Sequence, residues 1–297
     1  FGLLATSAVL ADDADSEGWK FVQENGRTYY KKGELKETDW RVIDGKTYYF
    51  DHVSGEMVVG WQYIPFPSKG STIGPYPNGL RLESMPMPQW YYFGQDGVLQ
   101  EFVGKQVLEA KTATNTNKHH GEQYDSPVEK RVYYFEDQRS YHTLKTGWIY
   151  DEGHWYYLQK SGGFDARIDS LTVGELVRGW TNDNSAWYYL DPTTGIMQTD
   201  WKQLGNKWYY LRSSGAMATG WVKDGSTWYY LDQSNGDMKT GWQYLGNKWY
   251  YLRSSGAMAT GWFQVNGKWY YAYSSGALAV NTTVDGYSVN YNGEWVQ

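Results

Sequence analysis

The chain has 297 residues and a net charge of −6, with 17 Trp, 29 Tyr and no Cys. Without a basic stripe it does not suit a nucleic-acid backbone, and without cysteines it has neither disulfides nor thiolate metal sites. Aliphatic residues form no long runs, so aromatic rings must supply most of the buried area, at roughly 150–250 Å² per ring.

The first eleven residues, Phe1 to Ala11, are apolar and end in small residues before Asp12-Asp13. They read as the end of a secretory signal peptide cleaved after Ala11. A short hydrophobic strand is the alternative. No stretch is long enough to span a bilayer, so attachment to a surface is expected to come from binding.

One phrase then repeats in damaged form. Trp19 precedes Tyr29-Tyr30 and Trp40 precedes Tyr48-Tyr49, each with Thr before the Tyr pair. Trp61 is separated from Trp90-Tyr91-Tyr92 by an insert holding six of the eight prolines. Phe102 and Tyr133-Tyr134 bracket a polar insert, Gly104 to Lys130. Trp148 with Trp155-Tyr156-Tyr157 makes a better unit, followed by an extra stretch from Gly163 to Val177. These inserts are expected to project as loops, the usual carriers of individual function; tolerated drift is the alternative.

From Gly179 the phrase is regular and reads G-W-x6-W-Y-Y-L-x3-4-G-x-M-x-T. Its leading tryptophans are Trp180, Trp201, Trp221, Trp242 and Trp262, spaced 21, 20, 21 and 20. Seven residues after each comes a second: Trp187, Trp208, Trp228, Trp249 and Trp269. The 18-residue run Leu204 to Trp221 recurs unchanged as Leu245 to Trp262. X-Gly pairs between the two tryptophans, such as Asp224-Gly225 and Asn266-Gly267, predict tight hairpin turns. A repeat this short grows by stacking on its neighbours. The expected fold is therefore all-β, a solenoid of about ten stacked β-hairpins, with residues 12–178 degenerate and 179–297 regular. Asn281 to Gln297 would be a variant hairpin capping the end.

Strand alternation puts Trp228 and Tyr230 on one face and Tyr229 on the other. Two Trp of one hairpin and a Tyr of the next could form a three-sided cage. Electron-rich ring faces attract a cation, and a quaternary ammonium best, because it has little hydration to lose. Three rings would supply roughly 4 kcal/mol, a Kd of about 1 mM. Several cages on one rod facing a polymer would gain avidity on the order of 10² to 10⁴. The same rings could equally be plain core.

The motif at Gly220 to Thr240 resembles the choline-binding repeat of pneumococcal surface proteins and wall hydrolases. The match is specific over Gly179 to Val280 and degraded over Trp19 to Phe164. Broken N-terminal and intact C-terminal repeats, with no catalytic module, resemble the choline-binding protein F-like subgroup. The resemblance implies a hairpin solenoid that binds phosphocholine on teichoic and lipoteichoic acids. It also implies a secreted protein held on the bacterial wall without a covalent link.

The cages it implies are Trp180, Trp187 and Tyr210; Trp201, Trp208 and Tyr230; Trp221, Trp228 and Tyr251; and Trp242, Trp249 and Tyr271. Met197, Met217, Met238 and Met258 would close their apolar sides, or simply pack. Trp262 and Trp269 would need a closing Tyr from the variant tail. Earlier cages are spoiled by Thr47, which replaces the second Trp, and by the inserts.

No G-x-S-x-G, P-loop or Cys nucleophile is present, and repeats and inserts leave no room for a catalytic domain. The expectation is a binding protein with no cofactor or metal and choline or phosphocholine as ligand. His119-His120 lacks zinc spacing, and Asp232 to Asp237 reads as a turn rather than a calcium loop. Its output would be an adhesin contacting a host-cell protein through the inserts, or a regulator of wall hydrolases. A carbohydrate-binding aromatic repeat is a weaker alternative.

Overall fold

The computed structural model describes residues 18–65, 88–112, 115–120, 129–138, 141–160 and 171–297. Among these the strands pair into eleven small sheets of two or three strands each. The fold is all-β, a repeat of stacked antiparallel hairpins. The chain divides into two compact units, residues 1–150 with 157–177, and residues 151–156 with 178–297. The signal-like run 1–11, the proline-rich insert 66–87 and residues 121–128 and 161–170 lie outside the described residues.

In the second unit each regular hairpin has two five-residue strands. They are Gly179–Asp183 with Ala186–Leu190, Asp200–Leu204 with Lys207–Leu211, and Gly220–Asp224 with Thr227–Leu231. Gly241–Leu245 with Lys248–Leu252 and Gly261–Val265 with Lys268–Ala272 complete the set. Each is named below by its leading tryptophan. Val265 pairs with Lys268, leaving Asn266-Gly267 as a two-residue turn with φ of 48° and 83°. Two positive φ values give the primed turn whose twist matches the strands. In the Trp221 hairpin Asp224 pairs with Thr227, so the turn is Gly225-Ser226, one residue later than the Asp224-Gly225 expected. The shift puts Tyr230, not Trp228, directly across from Trp221.

What joins hairpin to hairpin is a backbone bond from each following loop. The amide of Met217 donates to the carbonyl of Trp187 at 2.7 Å, and Met238 donates to Trp208 at 2.7 Å. Met258 to Trp228 at 2.8 Å and Leu278 to Trp249 at 2.9 Å repeat the pattern. Each loop residue also bridges its own hairpin, as Met217 does to Leu211. An isolated two-stranded hairpin is marginal in water, and this shared residue ties it to its neighbour. The core beneath is thin. Leu190, Leu211, Leu231 and Leu252 are fully buried, with Ala218 and Ala259 beside them.

The glycine of G-x-M has a steric reason. Met238 lies directly under Gly256, and a Cβ there would collide with its Sδ. Met197, Met217 and Met258 lie under Gly215, Gly236 and Gly276 in the same way. The tail folds into a three-stranded sheet, Thr282–Val284, Tyr287–Val289 and Trp295–Val296.

In the first unit Asp39–Ile43 pairs with Lys46–Phe50, and Val58–Pro65 pairs with Pro88–Phe93. The rings here form dense clusters in which Trp40, Trp61, Tyr91, Phe93 and Tyr133 are all fully buried. The expectation that Gly104 to Lys130 projects as a loop does not hold for its described part. Gly104–Glu109 pairs with Lys130–Phe135, and Lys118–His119 pairs with Val58 and Val59. Asn115 is fully buried and donates from Nδ2 to the Ala110 carbonyl at 2.7 Å. Sheet pairing drew the segment in, with Leu108 packed against the Trp61 and Tyr133 cluster while Val107, on the other face, stays exposed.

Gly256→Ala is expected to destabilise by about 2 kcal/mol or more, since it combines positive φ with a collision. Gly246→Ala, at φ 56° with open space around it, should cost only about 1 kcal/mol. Urea unfolding midpoints of the two variants would check the order; equal costs would remove the methionine from the explanation.

Candidate aromatic cation cages

The register decides which rings meet. Trp242 lies directly across from Tyr251, with ring centroids 4.9 Å apart, and Trp249 shares their face at 6.5 Å and 85°. That face meets the opposite face of the next hairpin, which supplies Tyr270 at 4.9 Å and 69° from Trp242. A cavity of about 310 Å³ lies here, lined by Trp242, Trp249, Tyr270, Leu278 and Val280, with Tyr291 and Asn292 of the tail. Rings that line a cavity from several directions can offer their faces to a guest inside it. That is the arrangement that attracts a cation.

The closing tyrosine is one residue earlier than the sequence suggested. Trp180 meets Tyr209 at 5.1 Å, Trp201 meets Tyr229 at 4.9 Å, and Trp221 meets Tyr250 at 5.0 Å. Tyr210, Tyr230, Tyr251 and Tyr271 do not close the preceding cage. Each is instead the cross-strand partner of its own hairpin's leading tryptophan, as in Trp201 with Tyr210 at 4.9 Å. The reason is the two-residue alternation itself. A tyrosine sharing a face with its own tryptophans cannot also face the hairpin behind.

The second tryptophans settle how much of this is core. Trp187, Trp208, Trp228, Trp249 and Trp269 are 39–45% exposed, one per hairpin. A single exposed Trp is unremarkable, but five in register form a patterned apolar surface of the kind that marks a binding site. The first tryptophans are half-buried and do both jobs. Met238 packs beside Trp201 and Tyr229 around buried Leu231. Met217 and Met258 hold the corresponding loop positions through their bonds to Trp187 and Trp228. Met197 takes the same role toward Trp155, at 2.8 Å. The methionines therefore pack between loops, and Met238 also lies beside Trp201 and Tyr229.

Trp262 and Trp269 find their closing rings in the tail. A cavity of about 330 Å³ is lined by these two with Tyr287 and Trp295. Trp262 and Tyr287 stand 5.7 Å apart. Lys268 and Glu294 pair at 2.7 Å beside this site, raising the Lys268 pKa and lowering that of Glu294, and so pin the strand carrying Trp295. Trp295 was not legible as a site residue, since no repeat spacing marks it.

Asp232 is a turn residue. Its Oδ1 accepts the amides of Asn235 and Ser234 at 2.8 and 2.9 Å, which lowers its pKa.

In the first unit the equivalent rings are closed from within. Trp40 packs against Tyr49, Tyr91 and Phe93 and donates from Nε1 to the Pro65 carbonyl at 3.0 Å. Thr47 indeed stands where the second tryptophan would be, and it is buried. The Arg41 guanidinium lies 5.5 Å from the Trp19 ring and 5.2 Å from Tyr30, held by Glu37 at 2.6 Å.

Two family models match the chain. The choline-binding repeat matches residues 198–240 and 239–282. The putative cell wall binding repeat matches residues 88–99, 146–164 and 179–197. The structure of CbpJ from Streptococcus pneumoniae TIGR4 is 66% identical, with a TM-score of 0.73, over 94% of this chain and all of that one. The chain belongs to the choline-binding proteins. Choline binding protein F from the same species, crystallised in the presence of a peptidoglycan analogue, is 57% identical with a TM-score of 0.72. That match covers 94% of this chain and 99% of the other. CbpF in complex with ipratropium, obtained by soaking, is 54% identical with a TM-score of 0.68 over the same shares. No match was found among curated proteins.

Limited oxidation should modify Trp187, Trp208, Trp228, Trp249 and Trp269 first and leave Trp40 and Trp61 intact. Peptide mass spectrometry reads this directly. Uniform modification of all seven would contradict the division into open and closed rings.

Proposed function

We propose that the regular cages bind the quaternary ammonium of choline and hold the protein on choline-bearing teichoic and lipoteichoic acids without a covalent bond. The observation that carries this is the repeated box of a half-exposed second Trp, a leading Trp and the next hairpin's first Tyr. It recurs at Trp180, Trp201, Trp221 and Trp242, and the tail closes a variant at Trp262. The soaked relative supports the chemistry, because ipratropium itself carries a quaternary ammonium. One cage would bind at about 1 mM, and the row would supply the retention through avidity. Binding to a secreted wall polymer places the protein at the bacterial surface.

On a quaternary-amine resin the protein should elute sharply with free choline and not with sugars. Trp228→Ala and Trp249→Ala should each weaken retention. Tyr250→Ala should remove about 1–2 kcal/mol at the Trp221 cage, roughly tenfold in local affinity. Unchanged retention in all three variants would return these rings to a packing role.

The first unit, with buried rings, we assign to a protein partner. An adhesin would take a host-cell protein, and a regulator of wall hydrolases would take the enzyme or its choline. Removing all of Gly104 to Lys130 would destroy a sheet, so the informative variant replaces only residues 121–128 with a Gly-Ser linker. Loss of host-cell binding in that variant supports the adhesin. Slower wall lysis in a zymogram with added protein supports the regulator, and unchanged lysis at saturation excludes it.

A further inference from the structure

Among the described residues of the first unit, the cage at Trp61 is not degraded. Trp61 meets Trp90 at 6.1 Å and 85°, its cross-strand partner Tyr92 at 5.2 Å, and Tyr133 at 4.8 Å. The corresponding distances at Trp242 are 6.5, 4.9 and 4.9 Å. The two boxes share a plan, yet Trp249 is 45% exposed and Trp90 only 4%. Tyr63 covers Trp90 from one side at 5.1 Å, and inside the closed box lies a cation. Lys111 Nζ lies 4.9 Å from the Trp61 ring centre, 5.2 Å from Trp90 and 4.7 Å from Tyr133.

The segment carrying Lys111 is fastened to the same rings. Trp61 Nε1 donates to the Glu109 carbonyl at 2.9 Å, and Tyr92 Oη donates to Glu109 Oε1 at 2.7 Å. The Lys111 side chain is 4% exposed, and Nζ donates to the Val173 carbonyl at 2.6 Å. Burial pushes its pKa down to about 7, while nearby Glu175 pulls it up. Ring faces act in the same direction as Glu175, because they attract only the charged form.

We propose that Trp61, Trp90 and Tyr133 form a complete quaternary-ammonium cage that the chain occupies with its own Lys111 side chain. Taking that side chain away turns a closed structural joint into an additional choline site. This rests on the reading of the regular cages as choline sites. A tethered ammonium acts at an effective concentration in the millimolar range or above, so free choline near a millimolar Kd does not displace it from the unaltered protein.

Calorimetric titration with choline chloride tests the proposal on the full chain. Folded Lys111→Ala should bind one more choline equivalent than the parent. Lys111→Met, which fills the same volume without charge, should bind none beyond the parent number. The same stoichiometry in folded Lys111→Ala as in the parent overturns the proposal, and so does a gain in Lys111→Met. A parent that binds no choline at all overturns the regular cages instead, so the two failures are distinguishable. If Lys111→Ala does not fold, the parent still decides. In its NMR spectrum the Lys111 ε-methylene protons should be shifted well upfield by the three rings, and an unshifted position overturns the occupancy.

Discussion

The contact between the leading tryptophan of one hairpin and the first tyrosine of the next is what the second unit depends on. A lone hairpin has two faces and no third layer to cover either. Trp201 against Tyr229, or Trp221 against Tyr250, covers both faces at once with a ring pair about 5 Å apart. The same pair forms two walls of the candidate cage. Stacking and binding thus draw on one contact, and the cage comes into being only when a second hairpin arrives. The backbone bond from each loop to the preceding hairpin sets the distance, and methionine beneath glycine fills the space that would otherwise open between loops.

The two units use the same rings toward different ends. In the second, the second tryptophan stays open, and only thin aliphatic layers such as Leu231 and Ala218 are sealed. In the first, the box at Trp40 has lost its second tryptophan and is sealed by buried rings. The one at Trp61 has received the chain's own cation, Lys111, and Arg41 lies over the Trp19 and Tyr30 rings. An aromatic box that attracts a cation must be left open, dismantled or filled. This chain does all three along its length.

Inserts between repeats follow the same logic. The described part of Gly104 to Lys130 was drawn into a sheet, and its Lys111 reached a cage. The segment looked polar in sequence, and a polar segment is usually solvated. What its polarity concealed was that a buried lysine's charge can be held over several ring faces at once.

The sequence by itself determined the hairpins, their register of seven and twenty residues, the separation of regular from broken repeats, and the family. Those follow from alternation and turn chemistry, which act over a few residues. It misplaced the closing tyrosine by one, because a face is a local property while the partner of a face is set by the next hairpin. It could not locate Trp295, which lies outside the period, nor the ammonium inside the Trp61 box. Tertiary structure alone decided those. The groups concerned are 50 residues apart at Trp61 and Lys111, and only packing brings a charge and three rings so distant in sequence to within 6 Å.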